Sequence, residues 1–219
     1  MKMRHCLVAC VPLLLAGCGV FDGLGGMFSG ARAKVPQGYT IASDYPGLTG
    51  QSVAIVVHVP RATLDEFTGA RQEISDFVVA DMRQHMPTTQ LVAPREVIAF
   101  QDDTLNWASM PQRDLGRHFS VQKMLYIEVL DYSTRPAPGY ADMQGHLRAT
   151  CTVVDCGTEA AGAAPAWKGL IDVRWPAGKP LDPTQTNESA VRLRLLEAFA
   201  DRLVRCFYAG GAIGPDMPG

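Results

Sequence analysis

Val53, Ala54, Ile55, Val56, Val57, His58 and Val59 form an apolar run interrupted only by the histidine, with Gly50 before it and Pro60 after it. A run of this kind, without alternation, suits a strand buried on both faces, the condition of a strand inside a helix-flanked parallel sheet. Residues 124–130 read the same way, with Glu128 as the one charge among Met124, Leu125, Tyr126, Ile127, Val129 and Leu130. Between the two runs the period becomes helical. Leu64, Phe67, Ala70, Ile74, Phe77, Val78 and Met82 follow Thr63 and Glu66, a pair at capping-box spacing. The spacing predicts one helix from Thr63 to about Met86, stopped by Pro87. Leu91 and Val92 make a short second strand, and Pro94 opens a helix that turns Val97 and Ile98 inward. Ser109 and Gln112 repeat the capping-box spacing ahead of a short helix carrying Leu115 and Phe119.

After Pro136 the pattern alternates. Leu147, Ala149, Cys151 and Val153 are apolar, with mostly polar residues between them, and Trp167, Ile171, Val173 and Trp175 repeat the rule around Lys168, Asp172 and Arg174. These are strands with one wet face, paired as a hairpin across residues 157–165. Val191, Leu195, Leu196, Phe199, Leu203, Cys206 and Phe207 then line one side of a last helix over residues 188–208. The expected fold is α/β with an α+β tendency: a mixed sheet of about five strands, the first three parallel with helical crossovers, then an antiparallel hairpin and a C-terminal helix.

The first residues constrain location rather than fold. Lys2 and Arg4 precede an apolar run from Cys6 to Leu15, which ends in small residues, the order of a secretory signal. The run breaks at Gly17 and Gly19, too short to span a bilayer. Leu15, Ala16, Gly17 and Cys18 resemble the lipobox of bacterial lipoproteins, which implies cleavage between Gly17 and Cys18 and diacylglyceryl attachment to the Cys18 thiol. Two or three acyl chains would anchor the chain stably. Gly19 stands where an aspartate marks inner-membrane retention in known sorting systems, which points to the outer membrane, at its periplasmic face. The organisation follows: residues 1–17 a signal peptide, 18–50 the lipidated terminus with a glycine-rich tether, 51–208 a single domain, 209–219 a loose tail.

Without residues 1–17 the chain has 18 basic and 22 acidic side chains and no strongly basic stretch, which argues against nucleic acid as a partner. Cys6 and Cys10 leave with the signal, so Cys151, Cys156 and Cys206 remain in an oxidising compartment. Cys151 lies on the apolar face of its strand and Cys206 on the apolar stripe of the last helix. If that helix covers the hairpin, the two approach through the core, as a disulfide or as packed thiols. Cys156 is then the odd thiol, expected exposed in a loop.

The element order behind a lipoprotein signal resembles the curli-secretion lipoprotein, the amino-terminal domain of the Tol-Pal periplasmic protein, and the lipoprotein activator of penicillin-binding proteins. It looks more closely like envelope lipoproteins of unknown function. The likeness rests on residues 53–59, 91–97, 115–119 with 124–129, and 152–155 leading to Trp167, each a hydrophobic pattern. It implies the fold and an envelope setting.

No chemical signature stands out. His58, His85, His118 and His146 lack metal-ligand spacing, no serine sits in a GxSxG setting, and no glycine-rich turn could cradle a phosphate. No cofactor or metal is therefore expected. The most suggestive feature is the loop over residues 102–110, where Trp107 and Met110 sit among polar residues, either as a partner surface or as a cover over the sheet edge. The favoured reading is a non-enzymatic, lipid-anchored protein-binding or assembly module, whose partner is another envelope protein or a copy of itself. The alternative is an anchored hydrolase or thiol enzyme with a site built from distant residues, such as His118 with Cys156.

Overall fold

The structure is a computed structural model and describes residues 45–137, 139, 141–157 and 164–208. The expected signal peptide, Gly17 and Cys18 at the cleavage site, the tether up to residue 44 and the tail from residue 209 lie outside the described residues. One five-stranded sheet organises the rest, in the order β2-β1-β3-β4-β5. Strand β1 (Ser52–His58) pairs in parallel with β2 (Gln90–Leu91) and with β3 (Lys123–Ser133), whereas β4 (Gly145–Asp155) and β5 (Trp167–Trp175) continue the sheet antiparallel. The class expected from the sequence is the class found, mixed α/β with a C-terminal helix.

The two kinds of sequence pattern have separate physical causes. On one face Val53, Ile55 and Val57 of β1 join Leu125, Ile127 and Val129 of β3, with Leu147, Ala149 and Ile171 of the hairpin. Helices α2 (Ala70–His85) and α5 (Glu188–Val204) cover this face with Ile74, Val78, Leu195 and Phe199, all fully buried. Burying such side chains stabilises by roughly 1.5–3 kcal/mol each. On the other face Val56, Met124 and Tyr126 pack with Val97 of α3 (Pro94–Asp103) and Leu115 of α4 (Gln112–His118). Strands β1 and β3 are therefore covered twice and read as unbroken apolar runs. Over most of its length the hairpin has helices on one face only, and there it alternates, whereas the end of β4 at Val154 also meets the second core. Asn187 caps α5, its Oδ1 accepting from the Ala190 N–H at 2.9 Å.

Three boundaries depart from the sequence reading. The helix expected from Thr63 to Met86 is two: α1 (Arg61–Glu66) and α2, separated at Phe67. Phe67 leaves helical geometry (φ −122°, ψ 73°) and is buried edge-on against Tyr132, ring centroids 4.7 Å apart. Burial of one large ring outweighs two or three helical hydrogen bonds. Neither expected capping box forms, because α1 follows Pro60 and α4 follows Pro111, with no side-chain cap at either start. The folded body also includes residues 45–50, assigned above to the tether. Leu48 is fully buried, its carbonyl accepts from the Thr89 hydroxyl at 3.1 Å, and the Tyr45 N–H donates to the Cys206 carbonyl at 2.6 Å.

Helix α4 contains Gly116, whose replacement by alanine would ordinarily help a helix. Here a Cβ would overlap the Cys156 sulfur, and it would also crowd Cys156 Cβ at 3.1 Å. Gly116→Ala is expected to destabilise the protein by about 1–3 kcal/mol, and adding Cys156→Ala should recover much of the loss. Urea unfolding of the wild type, the single variant and the double variant checks this.

Candidate functional site

Two surface regions bring chemically distinctive side chains together, and both lie where regular sheet structure is interrupted. The first is at the end of β1. Gln90 and Val92 N–H groups donate to the Gln51 and Val53 carbonyls, but β2 stops there. The Val57 carbonyl, of the same parity, points past the end of β2 and accepts instead from Gln101 Nε2 at 3.0 Å. Gln101 is 4% exposed, and its Oε1 has no hydrogen-bond partner among the described residues. His58 follows on the opposite face from the α2 side, with its register partner Glu128 exposed beside it.

Over this end sits the loop after α3. Thr104 N–H closes α3 on the Phe100 carbonyl at 2.9 Å, Asn106 adopts a left-handed conformation (φ 64°), and Trp107–Ser109 form a 3₁₀ turn. Asparagine tolerates that backbone at little cost. The turn lays Trp107 and Met110 half-buried on the second core cluster, whereas Leu105 projects, 90% exposed. The Trp107 ring meets His58 edge-on at 5.8 Å, and Tyr126 lies nearly parallel to His58 at 6.5 Å. Burial, with Glu128 as a lesser cause, pushes the Tyr126 hydroxyl up to about 12, so it stays neutral. Trp107 thus covers part of the second core and stays partly exposed.

The second region follows a bulge in β3. The register with β4 shifts between Val129 and Asp131, which turns Asp131 onto the face that α3 and α4 leave bare. There His146 Nδ1 lies 2.9 Å from Asp131 Oδ2 and Nε2 lies 2.9 Å from Asp172 Oδ1. The hydrogen bond to Asp131, against the cost of burial, raises the His146 pKa above its usual 6.5, and the same bond lowers that of Asp131. Both shifts favour the imidazolium form between the two carboxylates, in which both ring nitrogens donate. The cluster forms one wall of a cleft of about 480 Å³, with Glu66, Arg135, Gln144 and Arg174 around it.

The cysteines fall on opposite sides of the sheet. Cys151 and Cys206 share the α2/α5 side, and Cys206 adds to burial, the larger cause, in raising the Cys151 pKa. Both sulfurs lie in the core, and Cys206 Sγ is turned to the Arg202 carbonyl at 3.5 Å. Cys156 is not the exposed loop thiol that was expected. It is 6% exposed, packed under α4 against Gly116, because β4 extends through Asp155 and delivers it to the second core. Burial raises its pKa, and its sulfur lies 3.7 Å from the Val154 carbonyl. His118 stands exposed with its ring against Phe100, 4.1 Å between centroids. Among the described residues no group of three or more His, Cys, Asp or Glu is placed to hold a metal.

The His146 cluster was not singled out in the sequence. The hairpin pairing would have placed His146 and Asp172 on one wet face, but Asp131 joins them only through the bulge, which no periodicity records.

No family model and no curated protein matches this chain. Among solved structures it is similar to a PelC dodecamer from Paraburkholderia phytofirmans, at 10% identity and a TM-score of 0.42, covering 75% of this chain and 93% of that one. It is similar also to lipoprotein GNA1162 from Neisseria meningitidis, at 16% identity and a TM-score of 0.38, covering 70% and 97%. A lipoprotein from Caulobacter crescentus gives 12% identity and a TM-score of 0.33, covering 69% and 83%. At these values the likenesses carry neither family nor function to this chain.

The ion cluster has a definite pH signature. The Asp131 contribution is present above the usual carboxylate pKa and is lost as pH falls through the lowered value. The His146 contribution is complete below 6.5 and is lost as pH rises through the raised value. His146→Gln should therefore lower Tm by a few degrees at about pH 5.5 and by much less at about pH 9.5. Thermal unfolding across that range checks it, and an equal loss at both ends would contradict the assignment.

Proposed function

We propose that this chain is a lipid-anchored envelope protein whose α/β domain binds another protein through the loop over residues 104–110. The observation that carries the reading is the loop itself, where three large apolar side chains lie within six residues, Leu105 90% exposed and Trp107 and Met110 half-buried. Trp107 and Met110 fix the loop to the core, so Leu105 is presented on a backbone whose conformation is set before binding. Preorganised apolar anchors beside aromatic rings make effective interface centres, because little ordering entropy opposes association.

The anchor is read from Gly17 and Cys18 and the residues before them. Among the described residues no helix is long and apolar enough to cross a membrane. A lipid on Cys18, followed by about 25 residues before the folded body, would leave the domain free to reach a partner in the periplasm. The thiol-enzyme alternative draws no support from Cys156, whose burial disfavours the thiolate such chemistry needs.

Purification of the tagged, full-length protein from native membranes tests both parts. Leu105→Asp should keep the wild-type Tm and membrane fraction but reduce the co-purifying partner about tenfold. Cys18→Ser should abolish fatty-acid labelling and membrane retention. Unchanged partner recovery with Leu105→Asp would overturn the proposed surface, and unchanged labelling with Cys18→Ser would overturn the anchor.

A further inference from the structure

The end of β1 is a topological reversal. The chain leaves β1 through α1 and α2 on one face to reach β2 on one side, then returns through α3 and α4 on the other face to reach β3 on the other side. Open α/β sheets leave a crevice outside the carboxyl end of the strand where the connections part in this way. Here the strand whose connections part is β1, which ends at His58 below the Trp107 turn.

Apart from His58, whose buried Nδ1 has no hydrogen-bond partner among the described residues, the groups around this end are electron-rich. Two electron-rich rings, Trp107 and Tyr126, flank His58. The Glu128 carboxylate is the register neighbour of His58, on the same face and exposed. Beside the Val57–His58 peptide, Gln101 commits its nitrogen to the Val57 carbonyl, which leaves only its oxygen, a buried partial negative charge with no compensating donor among the described residues. Aromatic faces, a carboxylate and an amide oxygen together favour a positively charged group that donates hydrogen bonds, and repel an anion.

Resting on the partner-binding reading above, the geometry points to the crevice formed by His58, Trp107, Tyr126 and Glu128 as the seat of a cationic side chain, arginine or lysine, from the bound protein. The cation lies against the exposed part of the Trp107 ring and pairs with Glu128, with the buried Tyr126 behind His58, while Leu105 supplies the adjoining apolar contact. Glu128 is the specificity-determining residue, since it is the one full negative charge of the set. Leu105 supplies affinity without regard to charge.

The test uses the full mature chain with its tryptophan indoles labelled for NMR, the Trp107 resonance being identified by its loss in Trp107→Phe. N-acetyl-argininamide and n-butylammonium should shift that resonance with dissociation constants on the order of millimolar, and the uncharged isostere N-acetyl-citrullinamide should not. Glu128→Gln should weaken the cation response about fivefold or more at unchanged Tm. An equal response to citrullinamide, or no cation response at about 50 mM, would overturn the proposal. Partner recovery from membranes separates the two readings. Loss with Leu105→Asp and with Glu128→Gln supports both. Loss with Leu105→Asp alone overturns the cation seat and leaves partner binding standing, in which case the crevice takes free amines only. Recovery unchanged by either variant overturns both.

Discussion

A strand that is apolar on both faces can persist only where two layers cover it, and this requirement organises the molecule. Strand β1 has Val53, Ile55 and Val57 on one side and Val56 on the other, all almost wholly buried. Helices must therefore lie on both faces, which forces the chain to cross from one face to the other between β1 and β3. The short β2 is what that crossing needs as a turning point, two residues paired to Ser52 and Val53. Because β2 ends so early, the Val57 carbonyl takes its hydrogen bond from a side chain, Gln101, and α3 is held at the strand end where the Trp107 loop begins. The proposed surface is thus a consequence of the double burial rather than an addition to it.

The hairpin solves a different problem. With helices on one side only, β4 and β5 display charge on the other, and the Asp131, His146 and Asp172 cluster holds that charge in opposite-sign contact. Partly exposed ion pairs stabilise little individually, but a histidine shared by two carboxylates fixes the strand register beyond the bulge.

Strand and helix identities were legible because burial acts on long, regular stretches: residues 53–59, the two alternating strands and the stripe of the last helix all declare themselves. Local features were less so. Thr63 and Glu66 have capping-box spacing, yet Phe67 found a better place against Tyr132 and broke the helix that the box would have opened. Cys156 looked like a turn residue, because nothing in Asp155 or Gly157 reveals that α4 has a glycine at the point where its sulfur packs. Leu48, alone between prolines and glycines, carries no period and was assigned to the tether although it is fully buried. The candidate site was half legible: Trp107 and Met110 could be named from composition, but Leu105 as the exposed member, and Glu128 beside His58, needed the register of β1 with β3.

The central claim is that one face of this domain, the face carrying the Trp107 loop, meets another protein at the membrane. Photo-crosslinking in intact cells tests it directly, with the reactive side chain placed either at Leu105 or at Leu193. Leu193 is also exposed but lies on α5, behind the opposite face of the sheet. The account predicts a discrete crosslinked species from position 105 and none from position 193. Crosslinks of equal yield from both positions, or from position 193 alone, would contradict it.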